Sequence, residues 1–547
     1  MAFAPEKTKF IFYSFIISVI AAFSAIYLQW PAFFDPRIMN NDVKHSLYWF
    51  HQEPGLFQDD ILTRYATMIQ PIGFVWVYKI LSLILDPVLA SKFLPVVLFA
   101  FFAFFTYRLI HLILMDVDVS FFFIIFFIAA PIFWGAMVGG SARAFAWVFL
   151  VAFLYYVIGN KYLKSSVVLL LQSIFYPPVF LLSATTVLLR LAFDFFQPNK
   201  PLEKKPGKYF SIIAVVLGVI ILSSQYFLHA DPQIGQPVSK QAAISNPAFY
   251  TGGRVPVFPE PGFLLAVSRS GLPGNGWLSG LKWTYGWNEK LAGMFLVLLL
   301  IILYVRRNKK VCLPREFFFL FASSVVLYKS AYIFFPKLYM PARYLSFSIP
   351  LICFIAYTVF ISPVFLRFRQ TQVQKILNFS VLLVLFIFLK ANQGIGLERL
   401  DLSQALIDYI KNVPSNALIA AHPQLADGIP VLAQRKVLIN QELSIPLLDP
   451  YWNEVTSRTE DFFDAYYADS WAQLKHFFSK YKIDYLIVDT RHFEQEYLDR
   501  GWFHIEPFNS QIKKKIERQT FFILTSPKET FQRLERGRFF IIRKEDI

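Results

Sequence analysis

Long apolar runs recur through the first 390 or so positions, and they constrain this chain more than any other feature. A run of about 20 apolar residues matches the thickness of a bilayer's hydrocarbon core. Runs of that kind fall at about 10–30, 68–85, 92–114, 119–137, 143–158, 166–190, 210–228, 291–305, 316–335, 344–362 and 376–392. They predict a polytopic α-helical membrane protein with about 11 spans. Composition agrees: 56% of the 547 residues are hydrophobic, and the mean hydropathy of +0.46 exceeds that of ordinary soluble domains. The first run follows Lys7 and Lys9 without a small-residue cleavage site, so it is expected to stay as the first helix.

The net charge of +16 raises the question of nucleic acid, but the basic residues of the first 390 positions sit mainly in short segments between apolar runs, with no nucleic-acid motif. They read as topology. Three basic segments stand out: Lys200, Lys204, Lys205 and Lys208; Arg306, Arg307, Lys309 and Lys310; Arg367, Arg369 and Lys375. Cytoplasmic loops are enriched in such residues. Threading the spans from an inside N-terminus puts all three segments in the cytoplasm, with 31–67, 229–290 and everything after 392 outside. The YPP of Tyr176 to Pro178, inside an apolar run, marks a place where a helix can break. Cys312 and Cys353 supply neither a disulfide framework nor a CxxC metal site.

After Asn392 the composition becomes that of a soluble domain. ALIAA (417–421), KVLIN (436–440), DYLIVD (484–489) and RFFIIR (538–543) read as short buried strands, and SQALIDYIKNV and the run 460–480 as helices between them. The expected organisation is a transmembrane module over 1–392 and an extracytoplasmic α/β domain over 393–547. The segment 229–290, rich in Gly, Pro and aromatics, is the kind of long outer loop that often covers a site.

The candidate chemistry begins in NNDVKHSLYWF (40–50), just after the first run. If 41–50 is helical, Asp42, His45 and Trp49 share one face, and Asp42 can take a proton from an acceptor once partial burial raises its pKa. A solvated acidic loop with an N-cap explains the same pattern. Asp59 and Asp60 can act in a site or simply cap the helix starting near Ile61. His45, His51, Glu53, Asp59 and Asp60 are donors for a divalent ion, though their spacing matches no metal motif. MDVDV (115–119) is expected in a second outer loop, offering Asp116 or Asp118 as a second acid, or only a polar loop tip. Arg343, with Lys337, is placed to hold a lipid phosphate, because guanidinium binds phosphate oxygens bidentately; snorkelling to the interface is the simpler account. Arg143 borders a span in the same way, but threading puts it on the cytoplasmic side unless its neighbours are re-entrant.

The constellation resembles the GT-C superfamily of integral membrane glycosyltransferases. The likeness lies in NNDVKHSLYWF after span one, MDVDV, RYLSFSIP at a span start, and the C-terminal α/β domain. More narrowly, NDVKHSLYWF, LFQDDILTRY, GGSARAFAW and QSIFYPPVFLL are similar to motifs of an uncharacterised bacterial group. The resemblance implies a polyprenyl-phosphate-linked sugar as donor, with a glycan, lipid or protein acceptor in the bacterial envelope. Asp42 would be the catalytic acid of loop one, with Asp116 or Asp118 its partner. His45, Asp60, Arg64, Arg143, Lys337, Arg343 and Tyr344 are the expected substrate-binding positions. Some members use a divalent metal and others none. The WWDYG-type motif of oligosaccharyltransferases is absent, as is the paired Asp-Glu of mannosyltransferases, so fold analogy does not fix the reaction. A lipid-linked saccharide flippase, or a non-catalytic assembly subunit, is the alternative; the chain shows no inverted repeat of the transporter kind.

Overall fold

The computed structural model of the protein describes residues 3–50, 55–57, 59–196, 207–228, 231–270, 287–306, 311–369, 371–519, 521–526 and 528–547. Among them, six helices are long and apolar enough to cross a membrane: Glu6–Leu28, Pro87–Leu114, Pro177–Phe195, Arg315–Ile333, Ala342–Phe365 and Gln372–Ala391. Shorter apolar helices, including Ile72–Leu81, Val117–Ala129 and Tyr162–Phe175, lie between them in sequence. Aromatic rings lock neighbours together: Phe133 meets Trp147 and Phe354 edge-on at 4.9 and 5.1 Å, the geometry that ring quadrupoles favour.

The helix ends sort into two layers. Gln29 Nε2 donates to the Lys92 carbonyl at 2.5 Å, and at the other end the Phe10 and His111 rings are 4.5 Å apart. Pro87–Leu114 therefore runs antiparallel to the first helix and finishes beside its start. Lys9 Nζ then meets Asp118 Oδ2 at 2.6 Å, and Tyr13 donates to Asp118 Oδ1 at 3.2 Å. MDVDV thus lies at the Lys9 end of the bundle, opposite Asp42, and not in a second loop on Asp42's side as threading suggested.

The physical reason is the segment 68–85. It is not one traverse: Ile69–Pro71 separates Ile61–Met68 from Ile72–Leu81, and the latter, at about 15 Å for ten residues, is half the depth of a bilayer core. Its start and finish lie in the Asp42 layer, where Ile72 N–H reaches Gln225 Oε1 and Tyr78 donates to the Gly140 carbonyl. Every segment that follows is reversed. The expected run 166–190 is in turn two helices, Tyr162–Phe175 and Pro177–Phe195, because Pro177 and Pro178 disfavour the helical backbone at the residue before them; Tyr176 sits at φ −153°, ψ 88°. This second departure restores the original parity. Arg254 accordingly lies on Asp42's side, beside Glu442, and Lys375 on the opposite side, in a cavity with Lys9. Lys200, Lys204, Lys205, Arg307, Lys309, Lys310 and the 271–286 part of the long loop lie outside the described residues.

The C-terminal region holds a five-stranded sheet. Lys436–Val437, Leu418–Ala421 and Tyr485–Asp489 are parallel neighbours, and Phe539–Arg543 and Gln532–Leu534 continue the sheet antiparallel. All four segments expected as strands pair here, each strand shorter than or equal to its motif, and Gln532–Leu534 is an edge the apolar pattern did not mark. The expected single helix over 460–480 is two, Tyr451–Tyr466 and Trp471–Tyr481. His422, just past one parallel strand, and His492, just past another, bring their rings to 4.3 Å; both, with His504, are held neutral by burial, His492 down to about 3 and the other two well below the usual imidazole value. Two short ladders tie the region to the bundle's loops: Ile38–Met39 pairs with Glu398–Arg399, and Gly235–Pro237 with Leu448–Pro450.

Candidate functional site

Asn40 starts the site. Its side chain accepts the Asp42 N–H at 3.0 Å, capping the short helix Asn41–Ser46 as N-cap asparagines do. Its amide nitrogen donates to the Gly396 carbonyl at 2.7 Å. Against it lies a tight turn at Gly139, where φ is +86° and an added Cβ would come within 2.5 Å of Asn40 Cβ. Only glycine fits that approach, and it delivers the next residues onto Asp42.

Ser141 Oγ donates to Asp42 Oδ2 at 2.8 Å, and Arg143 Nε lies 2.8 Å from the same oxygen. The Gly-Gly turn is on Asp42's side of the bundle, so Arg143 is not cytoplasmic relative to Asp42 but its direct ion partner. Arg343 adds a second guanidinium whose charge acts on Asp42 and whose side chain hydrogen-bonds Tyr339. Burial pushes the Asp42 carboxyl up, but Arg143, His45, the Ser141 hydrogen bond and Arg343 outweigh it and hold it below the ordinary carboxylate value. The expected elevation is thereby reversed: Asp42 is a permanently ionised carboxylate at neutral pH.

His45 is one turn along the same face. Burial lowers its pKa more than Asp42 and Glu442 raise it, so the imidazole is neutral. Its buried Nδ1 makes no hydrogen bond among the described residues and lies 3.7 Å from Glu442 Oε2. Glu442, 4% exposed, comes from the C-terminal region. It accepts from Asn41 Nδ2 and pairs with Arg254 at 2.5 Å, while its own N–H donates to Asp427 Oδ1 at 2.9 Å. Burial and the Glu442 charge push the Asp427 carboxyl up. Nothing in the spacing of the sequence foretold Ser141, Arg254, Asp427 or Glu442. The one available signal was an acid, Glu442, following the apolar KVLIN.

The structure thus brings Asp42, His45, Arg143 and Arg343 together, and leaves the other expected positions elsewhere. Asp60 caps Ile61–Met68, accepting from Thr63 N–H at 3.0 Å and Thr63 Oγ1 at 2.6 Å. Arg64 turns to Gln233 at 2.6 Å and to Asp59 and Asp231 at 3.6 Å. Asp116 caps Val117–Ala129 through the Val119 N–H, and Asp118 holds Lys9. Lys337 is exposed, with no ion pair to the Asp42 cluster. Tyr344 is buried and donates to the Leu338 carbonyl at 2.8 Å. His51 and Glu53 lie outside the described residues.

Among the described residues the donors are not arranged around a divalent ion. Asp42 and Glu442 are each engaged by an arginine, Asp116 and Asp118 are at the far end, and no group of three His, Cys, Asp or Glu among the described residues is arranged to hold a metal. The arrangement instead offers guanidinium groups for a phosphate and an ionised carboxylate beside a neutral imidazole.

No protein-family model matches the chain, and no curated protein does. Solved structures of the Archaeoglobus fulgidus oligosaccharyltransferase are similar in overall shape. The apo form aligns at 12% identity and a TM-score of 0.48, covering 90% of this chain and 71% of that one. The complex with Zn and sulfate gives 12% and 0.42, over 89% and 69%. The complex with an inhibitory peptide and a dolichol-phosphate gives 12% and 0.41, over 90% and 71%. The functional reading rests on the arginine-ringed carboxylate itself.

Proposed function

We propose that this protein is a membrane glycosyltransferase that moves a sugar from a polyprenyl-phosphate donor to an envelope glycan, lipid or protein acceptor. In this reading the chain crosses a bacterial inner membrane about 11 times, with its N-terminus cytoplasmic and the Asp42 face and residues 393–547 outside. The observation that carries it is Asp42 with Arg143 at 2.8 Å and Arg343 within electrostatic reach.

The reaction is a single displacement. An acceptor hydroxyl or amine attacks the anomeric carbon, the bond from that carbon to the phosphate oxygen breaks, and its electron pair leaves on the lipid phosphate. Arg343 and Arg143 stabilise the growing charge. The acceptor's proton passes to Asp42 as the new bond forms. The depressed pKa of Asp42 is compatible with that role, because the attacking group becomes strongly acidic late in bond formation. His45 orients the acceptor, with Glu442 3.7 Å from its Nδ1.

Mass spectrometry of envelope glycans and lipid-linked intermediates, compared between cells with the wild-type protein, Asp42→Asn or none, tests this. The variant and the deletion should lose the same sugar and accumulate its lipid donor. Glycans changed by the deletion but not by Asp42→Asn would overturn the assignment.

A further inference from the structure

At the end of the bundle away from Asp42, about 28 Å along the first helix from Leu28 by its rise per residue, lies a cavity of about 430 Å³. Lys9, Tyr13, Asp118, Gln374, Lys375 and Asn378 line it, with no apolar aliphatic side chain among its lining residues. That lining is unusual at the edge of an apolar bundle, where ligand pockets are ordinarily mostly apolar.

The hydrogen bonds within the cavity are incompletely closed. Asp118 is satisfied by Lys9 and Tyr13, one on each oxygen. Gln374, 1% exposed, donates through Nε2 to Asn378 Oδ1 at 2.9 Å, but its buried Oε1 accepts from no group among the described residues. A buried acceptor left without a donor costs free energy that a ligand can recover. Lys375 makes no ion pair among the described residues. With Lys9 offset by Asp118, Lys375 leaves the cavity one positive charge in excess, and the start of the 20-residue helix Gln372–Ala391, capped by Thr371, adds the positive end of its dipole.

A fitting ligand therefore carries an anionic group with a hydrogen-bond donor beside it. The wall outside the cavity says where that ligand comes from: Val373, Ile376 and Phe379, on the same helix, are 46%, 64% and 75% exposed, an apolar face suited to acyl chains. We propose that this cavity binds the headgroup of a glycerophospholipid in the leaflet opposite the Asp42 face, a phosphodiester flanked by a hydroxyl or ammonium donor. The phosphate sits toward Lys375 and Lys9, and the donor toward Gln374 Oε1. The site is independent of the proposed transfer reaction.

The test uses the full-length protein, delipidated in detergent and titrated by native mass spectrometry with short-chain phosphatidylglycerol, phosphatidylethanolamine and phosphatidylcholine. The third has the phosphate but no donor. The first two should be retained at least tenfold better than phosphatidylcholine. Gln374→Leu should erase that preference, Lys375→Ala should lower the retention of all three lipids alike, and millimolar inorganic phosphate should displace neither of the first two. Lys375 is exposed, so Lys375→Ala decides the matter if Gln374→Leu does not fold. Equal retention of the three lipids, unchanged retention in a folded variant, or displacement by inorganic phosphate would each overturn the proposal.

Discussion

Asp42 and Asp118 make an instructive pair, because both sit in short polar stretches between apolar helices and their side chains are similarly exposed, 23% and 18%. Exposure does not distinguish them. Their surroundings do. Asp118 meets one lysine and one tyrosine from the first helix. Asp42 is ringed by Ser141, Arg143, His45 and Arg343, drawn from three widely separated stretches of chain. A flexible ammonium acts as a point charge, whereas rigid guanidinium forks grip a carboxylate or phosphate bidentately. The difference between the two ends lies in which cations arrive, and from how far along the chain.

The largest expected effect separates the two aspartates directly. Asp42→Asn should lower transfer in purified membranes by about 10²–10⁴, the usual contribution of a positioned acid or base, while Asp118→Asn should leave it within about twofold; comparable losses would erase the distinction. Next comes Arg343→Ala, which removes one charged hydrogen-bonding group, worth about 1.5–3 kcal/mol, and should raise the donor's KM about 10- to 100-fold without a matching change for the acceptor. Exposed Lys337→Ala should change neither constant by more than about twofold. Smaller again, Glu442→Gln should cost several-fold in acceptor use and leave donor affinity intact. If Arg254 and Glu442 act as one unit, Arg254→Gln in that background adds little further loss.

The smallest effect on activity concerns stability. His422, His492 and His504 are buried neutral, with folded pKa values below the unfolded value near 6.5. Between those limits the unfolded chain binds more protons, so stability rises with pH. Their contribution is complete above about pH 6.5 and is lost as the pH falls towards the folded value of about 3 for His492. Thermal unfolding of the C-terminal region should show this acid sensitivity, and His492→Phe should blunt it.

The Asp42 and His45 face was legible because a helical period of three needs no tertiary information, and the four strands were legible as apolar runs of strand length. Arg143 was misplaced because hydropathy counts any apolar segment as a traverse, and Ile72–Leu81 is apolar but too short to make one. Asp42's protonation behaviour was misread for a related cause: burial is visible in a sequence, but the two arginines that outweigh it arrive from positions 143 and 343. Glu442 was invisible because no periodicity links residues 401 positions apart.

That last separation has a consequence for biosynthesis. The Asn41–Ser46 helix emerges from the ribosome 401 residues before its latch, the Asn41–Glu442 hydrogen bond, and the strand Ile38–Met39 waits for the later-made Glu398–Arg399. Until then the loop that carries Asp42 can be held only by partners made earlier, such as Ser141 and Arg143. The finished site is therefore a late product of synthesis, and a chain interrupted before position 398 inserts its helices while its first loop stays unlatched.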